Sequence, residues 1–258
     1  MKKAFVILLL TASLTIPFVV FDVLPTIGDP NSAPNTHVTD YYIEHAQDEC
    51  NSPNMVTAVI VDYRAYDTMF ETTVMFLAGA VVVLLLRSKP EHKNRIIRPI
   101  VTRTCTMRNG EPVFDNINKN IIITTAEAII LVYAIYVLFH GEVSLGGGFQ
   151  AGALIGMAYL LDVMTVPRGK PLFVLPTEKA VALAGVGPFI YAFTGILCLI
   201  GGGLFLEYEK LPFPVSDLQL HAIGILMVEI GVTIGVMATI IAILDALMEK
   251  VRFDDDEH

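Results

Sequence analysis

The sequence predicts an all-α integral membrane protein with about six transmembrane helices and both termini cytoplasmic, a multi-pass protein of the cell membrane. Three observations carry that prediction. Of 258 residues, 54% are hydrophobic and 17% charged, with a mean hydropathy of +0.62, a balance outside the range of water-soluble domains. The apolar residues gather in six runs of about the 20 residues that a helix needs to cross roughly 30 Å of hydrocarbon. Lysine and arginine crowd alternate connecting segments, which is the asymmetry that orients helices in a membrane.

The first run covers residues 4–22 and follows Lys2 and Lys3. A short basic stretch before an apolar one also marks a secretory leader; we read it as a retained helix kinked at Pro17. Residues 25–52 form an acidic outer loop with Asp29, Asp40, Glu44, Asp48 and Glu49. The second run spans residues 68–86. Residues 54–60 are apolar as well, so this helix either starts near residue 68 or starts at Pro53 and is long, tilted or broken near Asp62. The four remaining runs cover residues 121–139, 149–166, 180–206 and 219–247.

With the N-terminus inside, the cytoplasmic segments hold 15 of the 17 lysines and arginines, the outer loops hold Lys210, and Arg64 lies within the membrane. An odd number of crossings breaks this pattern. A basic cytoplasmic linker over residues 91–120 divides the chain into a two-helix module, 1–90, and a four-helix module, 121–258. No internal repeat relates the two, which suggests a fusion of two smaller subunits.

Several function classes are excluded. The net charge of −9 is unevenly placed, and no basic aromatic patch points to nucleic acid. Cys50, Cys105 and Cys198 lack the spacings of metal sites or redox pairs, so no metal or cofactor is expected on this chain. No nucleophile, base and oxyanion donors group together, so the chain is not expected to be an enzyme.

The most informative charges are those at membrane depth, where each ionised group costs about 2.5–3.5 kcal/mol on insertion scales and therefore faces protein or water. The segment DYRAYDTMFE, residues 62–71, runs straight into an apolar stretch. On a helix Arg64, Asp67 and Glu71 share one face. Two readings stay open: Arg64 and Asp67 form an ion pair near the outer interface that fixes packing, or Glu71, deeper in, carries protons or cations while Arg64 and Asp67 tune it. Glu127 near the inner end of the third helix, His140 at its outer end, and His221 and Glu229 in the sixth helix are further candidates for a relay. For Glu127 and Asp162, both within about two turns of the cytoplasmic face by the 3.6-residue helical period, the plainer reading is solvation. For His140, whose ionisation lies near physiological pH, it is a helix cap.

Residues 140–152, HGEVSLGGGFQAG, are the most distinctive string. Gly146, Gly148 and Ala151 satisfy a dinucleotide-binding pattern, but apolar helices flank it where a βαβ unit is required. A tight re-entry between membrane helices explains it better, with Gly146, Gly147 and Gly148 supplying positive φ or close approach where side chains would clash. Gly148, Gly152 and Gly156 then recur every four residues as a strip for helix packing in lipid, as Gly231 and Gly235 do on the sixth helix.

These residues carry a family resemblance. Residues 140–152 resemble the MnhB-type subunit of Mrp multi-subunit sodium/proton antiporters, whose pattern is close to HGxxSPGGGFQGG, and Val228-Glu229-Ile230-Gly231-Val232 looks like that family's FDIGV motif. Residues 54–71, NMVTAVIVDYRAYDTMFE, are similar to the NVVTAIxxDYRxxDTLGE segment. That segment ends the large Mrp subunit or stands as a small subunit of archaeal membrane-bound hydrogenases. Together the resemblances cover most of residues 1–248.

They imply that Glu71 and Glu229 take part in moving Na+ or H+, and that the partners are other Mrp-like antiporter subunits. Leu145, Ala151, Phe70 and Glu229 depart from the family patterns. Such divergence fits an antiporter module recruited into a respiratory complex with hydrogenase-like electron-transfer subunits, as in membrane-bound hydrogenases or the sulfur-reducing complexes of hyperthermophilic archaea. There the iron-sulfur clusters and catalytic metal sit on partner subunits. A free-standing antiporter and a purely structural scaffold are the alternatives.

Overall fold

The computed structural model describes residues 2–21, 24, 26–86, 116–144, 146–165 and 175–256. Most of the expected linker, residues 91–115, lies outside them, as does Leu145. Every regular element among the described residues is helical, and two compact units are present, Met1–His45 and Ala46–His258.

The first unit opens with α1 (Lys2–Phe21), which continues through Pro17. Thr11 and Thr15 donate their hydroxyl hydrogens to the carbonyls of Leu8 and Ala12, which satisfies two polar groups inside an apolar helix. The acidic stretch after it is not the open loop expected from sequence. A turn at Gly28, with φ of 84°, leads to a π-helical turn, Pro34–Val38, and then α2 (Thr39–Cys50). In α2 the rings of Tyr41 and His45, one turn apart, stack at 4.2 Å and help hold a polar helix together.

In the second unit, α3 (Met55–Thr57) passes directly into a π-helical segment, Ala58–Tyr63, and α4 (Ala65–Leu86) follows. Arg64, between them, leaves helical geometry at φ −120° and ψ 31°. The break expected near Asp62 therefore falls two residues later. After α4 come α5 (Asn116–Phe139), α6 (Gly148–Thr165), α7 (Thr177–Ile200) and α8 (Asp217–Asp256). The expected end of the fifth run at residue 206 is corrected to Ile200, because Gly201 caps α7 and Gly202 takes a φ of 88°, which ends a helix in the left-handed region. A short 3-10 turn, Tyr208–Lys210, bridges to α8.

The 40-residue α8 is the central post of this unit, and α4, α6 and α7 pack on it, with α5 reached largely through α6. Ala65–Leu86, Ile121–Phe139, Thr177–Ile200 and Asp217–Met248 are long and apolar enough to cross a membrane, and Gly148–Val163 is a shorter apolar helix. Close backbone approach sets the helix spacing. A Cβ on Gly187 of α7 would stand 2.6 Å from the Gly235 Cα and 2.7 Å from the Gly231 oxygen of α8. Along α6, Gly148 abuts the Glu229 backbone, Gly152 the Thr233 carbonyl and Gly156 the Ile240 side chain. Large apolar side chains such as Leu84, Leu85, Ile122 and Val132 remain exposed, as befits surfaces meeting lipid or other subunits.

Candidate functional site

The site begins with a clamp. The Asn54 side chain caps α3 by accepting from the Val56 amide, and its Nδ2 donates to the carbonyls of Ser144 at 2.6 Å and Gly141 at 3.1 Å. Thr57 donates to the same Gly141 carbonyl at 2.6 Å. These bonds fasten the strip before α4 to the glycine turn between α5 and α6. The π-helical segment that follows shifts the backbone register, and side chains take up its carbonyls. Thr68 donates to Ile60, Tyr208 to Val61 and Tyr191 to Ala65, at 2.7–2.8 Å. A π-turn is less stable than an α-turn and is found mostly where function holds it in place.

Beneath the clamp lies a cavity of about 310 Å³, lined among others by Glu71, Thr68 and Thr72 of α4, Gln150 of α6 and Glu229 of α8. Glu229 is 5% exposed. Its carboxyl rests against the glycine turn: a Cβ on Gly141 would lie 2.7 Å from each of its oxygens, and one on Gly147 2.9 Å from Oε1. Residues 146–148 line the same cavity. A side chain at Gly141 or Gly147 would fill the space that the carboxyl occupies. Thr233 donates to both the Gly148 and Glu229 carbonyls, at 3.0 and 2.8 Å, pinning α8 to the start of α6. Glu71, exposed on α4, faces the cavity from another wall. Two glutamates remote in sequence thus line one cavity.

The other expected positions separate from it. Arg64 lies outside α4, so the helical stripe with Asp67 and Glu71 does not form. Its Nε donates to Asp67 Oδ2 at 2.7 Å, both side chains are 61% exposed, and neither lines the cavity. His140 also lies outside. Its Nδ1 is 3.0 Å from the Tyr136 carbonyl and its ring stacks on Tyr136 at 4.1 Å, which makes it a cap on the end of α5.

Glu127 and Asp162 are 5% and 3% exposed, so the solvated reading fails for both. Asp162 acts electrostatically on Glu127, and Glu127 Oε1 finds no hydrogen-bond partner among the described residues. Asp245 of α8, 8% exposed, accepts from Thr177 of α7. It is an acid that the sequence pattern did not single out.

The sequence marked His221 as a relay candidate but not its partner, and it did not single out Glu142. His221 pairs with Asp62 across 159 positions, a separation that no spacing rule links. Glu142 lies in the glycine string and interacts electrostatically with both His221 and Glu229. Burial raises the Glu142 carboxyl above the ordinary range, and the charge of His221 opposes that rise. Cys50, buried beside Asp62, has its thiol pushed up to about 12, mainly by burial and then by the Asp62 charge. It is therefore an inert core thiol. Tyr63 donates to Glu49 at 2.6 Å, and burial together with that bond raises its phenol.

Comparison with known proteins extends this picture. Residues 120–242 match a domain family related to the MnhB subunit of Na+/H+ antiporter, and residues 5–102 match MbhE, a family of MBH subunits. A putative antiporter subunit, mnhB2, of Staphylococcus haemolyticus is 29% identical over 143 residues, 55% of this chain and 96% of that one. An uncharacterized protein of Methanocaldococcus jannaschii is 31% identical over 160 residues, 60% of this chain and 59% of that relative, so this chain spans less than two thirds of its length. Among solved structures, a chain of the membrane-bound sulfane sulfur reductase, an archaeal respiratory membrane complex, superposes with a TM-score of 0.58 at 25% identity. That match covers 96% of this chain and 99% of the other. The protein is thus a multi-pass membrane protein in which a segment matching MbhE precedes a segment matching the domain related to the MnhB subunit of Na+/H+ antiporter.

Proposed function

We propose that the chain is a cation-handling subunit of an Mrp-type antiporter module within a redox-driven respiratory complex, and that Glu71 and Glu229 carry Na+ or H+ through their shared cavity. The observation behind this reading is the convergence of the two carboxyls on one space of about 310 Å³. A carboxylate removed from water needs a proton or a cation beside it. Here threonine hydroxyls, Asn54 and Gln150 add oxygen ligands of the kind a hard cation accepts. The chain itself is non-catalytic; electron transfer belongs to partner subunits bearing iron-sulfur clusters and the catalytic metal. The basic segments lie in the cytoplasm with both termini, and residues 91–120 link a two-helix module, 1–90, to a four-helix module, 121–258. Glu127 supplies a further station on the path.

The test uses the native complex in inverted membrane vesicles. Glu71→Gln and Glu229→Gln should each abolish Na+-dependent proton exchange while the complex still assembles. Normal exchange in both assembled variants would leave the chain a scaffold. The 96% coverage of a putative antiporter subunit favours a second reading, a free-standing antiporter. Co-purification separates the two, since electron-transfer subunits accompany the chain only in the first.

A further inference from the structure

We propose that His221, held by Asp62, is the port through which protons pass between the outer side of the protein and the Glu229 cavity, with Glu142 as the intermediate station. The inference rests on the reading of that cavity as an ion site and adds its route of access.

Position along α8 comes first. His221 and Glu229 are eight residues apart, which is about 12 Å at 1.5 Å per residue and about 80° around the helix. That distance is too long for direct transfer. Glu142, in the turn that packs on Glu229, is the acid within electrostatic reach of both. It also follows Gly141, where an added Cβ would lie 2.7 Å from each oxygen of the Glu229 carboxyl. The outer end of the series is the more open one and Glu229 the most enclosed: the Asp62 side chain is 24% exposed and His221 8%, Glu142 in its turn is half-buried, and Glu229 is 5% exposed.

The surroundings of His221 suit a relay. Asp62, from the π-helical segment, meets Nε2 of the ring through Oδ2. Tyr208 meets the ring edge-on with centroids 5.5 Å apart, while its own hydroxyl is committed to the Val61 carbonyl. The titratable groups facing the ring are therefore Asp62, Glu142 and Tyr208, and Cys50 touches the pair through Asp62. Imidazole takes up a proton on one ring nitrogen and releases one from the other. Each inward step breaks one N–H or O–H bond and makes another: His221 becomes imidazolium, gives a proton to the Glu142 carboxylate and returns to neutral, and Glu142 passes the proton to Glu229. The raised proton affinity of the Glu142 carboxyl narrows the gap to imidazole, so the proton moves in either direction.

The test measures Na+-dependent proton exchange by the native complex, with pH on the outer face varied between about 5 and 8, the range in which imidazole titrates. His221→Gln should slow exchange by about a hundredfold, the typical contribution of a positioned proton-transfer group, and should flatten the dependence on outer pH. Glu142→Gln, in a half-buried turn where folding tolerates the change, should slow it similarly. His221→Ala should be partly restored by added imidazole. A slow His221→Gln variant with an unchanged pH profile assigns the pair to structure and overturns the port. So does wild-type exchange in Glu142→Gln or in His221→Gln. Should Glu229→Gln abolish exchange while these two behave as wild type, the cavity stands and only the port falls; should Glu229→Gln also exchange normally, the cavity reading falls with it.

Discussion

Two glycines on α7, two residues apart, give opposite expectations when each is replaced by alanine. At Gly187 the new methyl carbon would stand 2.6 Å from the Gly235 Cα and 2.7 Å from the Gly231 carbonyl. Both are backbone atoms of α8, which cannot swing aside as a side chain end can. Carbon atoms rest at about 3.5–4.0 Å, so α7 and α8 must part by about 1 Å. Overpacking of this kind costs about 1–3 kcal/mol, against at most about 1 kcal/mol gained from replacing glycine within a helix. At Gly185 the methyl would meet only the Phe76 ring at 3.4 Å, an ordinary contact, so the helical gain is kept. Gly187→Ala should therefore lower the melting temperature of the purified complex by several degrees and Gly185→Ala should leave it equal or raised, since about 1 kcal/mol moves a chain of this size by 2–4 °C. Transport should follow the same order. Gly231 is two residues from Glu229, and a displacement of about 1 Å at a reacting group is enough to lose about a hundredfold. Equal melting and equal transport in the two variants would refute the backbone contact between α7 and α8.

Three other outcomes follow from individual contacts. Tyr208→Phe leaves the Val61 carbonyl without its buried donor and should destabilise the complex by about 1–3 kcal/mol, read as a lowered melting temperature. Glu127→Gln removes an ionisable group whose Oε1 has no partner among the described residues; melting should hold steady while Na+-dependent exchange declines, and unchanged exchange takes Glu127 off the path. Arg64→Ala and Asp67→Ala, singly and together, should reveal a coupling below about 1 kcal/mol in a thermal double-mutant cycle, as exposed pairs do; a larger value means that another subunit covers this pair.

Much of the helical layout was legible because hydrophobic runs of membrane length leave little choice of structure. Glu71 and Glu229 stood out for the same reason: a carboxyl inside such a run calls for an explanation. What escaped depended on local geometry or on distant pairing. No glycine or proline interrupts residues 58–63, so composition does not distinguish a π-turn from an α-turn there, and the displacement of Arg64 from the helix went unseen. The helix bearing Glu127 starts at Asn116 rather than residue 121, which sets this carboxyl about 16 Å from the helix start at 1.5 Å per residue, deeper than the reading as a solvated group allowed. By contrast, the end of α7 was written in Gly201, Gly202 and Gly203 but was masked by apolar residues continuing to 206.

The acids on α8 bear on how much of a crossing this chain supplies alone. Glu229 and Asp245 are 16 residues apart, about 24 Å along the helix, most of the roughly 30 Å hydrocarbon thickness. Each is buried within a polar group of its own: Glu229 in the cavity with Glu71, Asp245 beside Thr177. Between them Val236, Ala238 and Ile241 are fully buried, the Thr233 hydroxyl is committed to the Gly148 and Glu229 carbonyls, and Thr239 Oγ1 is buried without a hydrogen-bond partner among the described residues. A charge cannot cross that interval unaided, since isolated burial of an ion is far costlier than any single contact repays. The proposed path therefore does not run down α8 from Glu229 to Asp245, and beyond the stations in this chain it follows a surface shared with a neighbouring subunit. The exposed face of α4 that carries Glu71 is where such a neighbour would have to sit. Crosslinking from cysteines introduced at exposed Val74, Leu77 and Val81 should capture an antiporter subunit, and capture of lipid alone would leave the middle of the path without a wall.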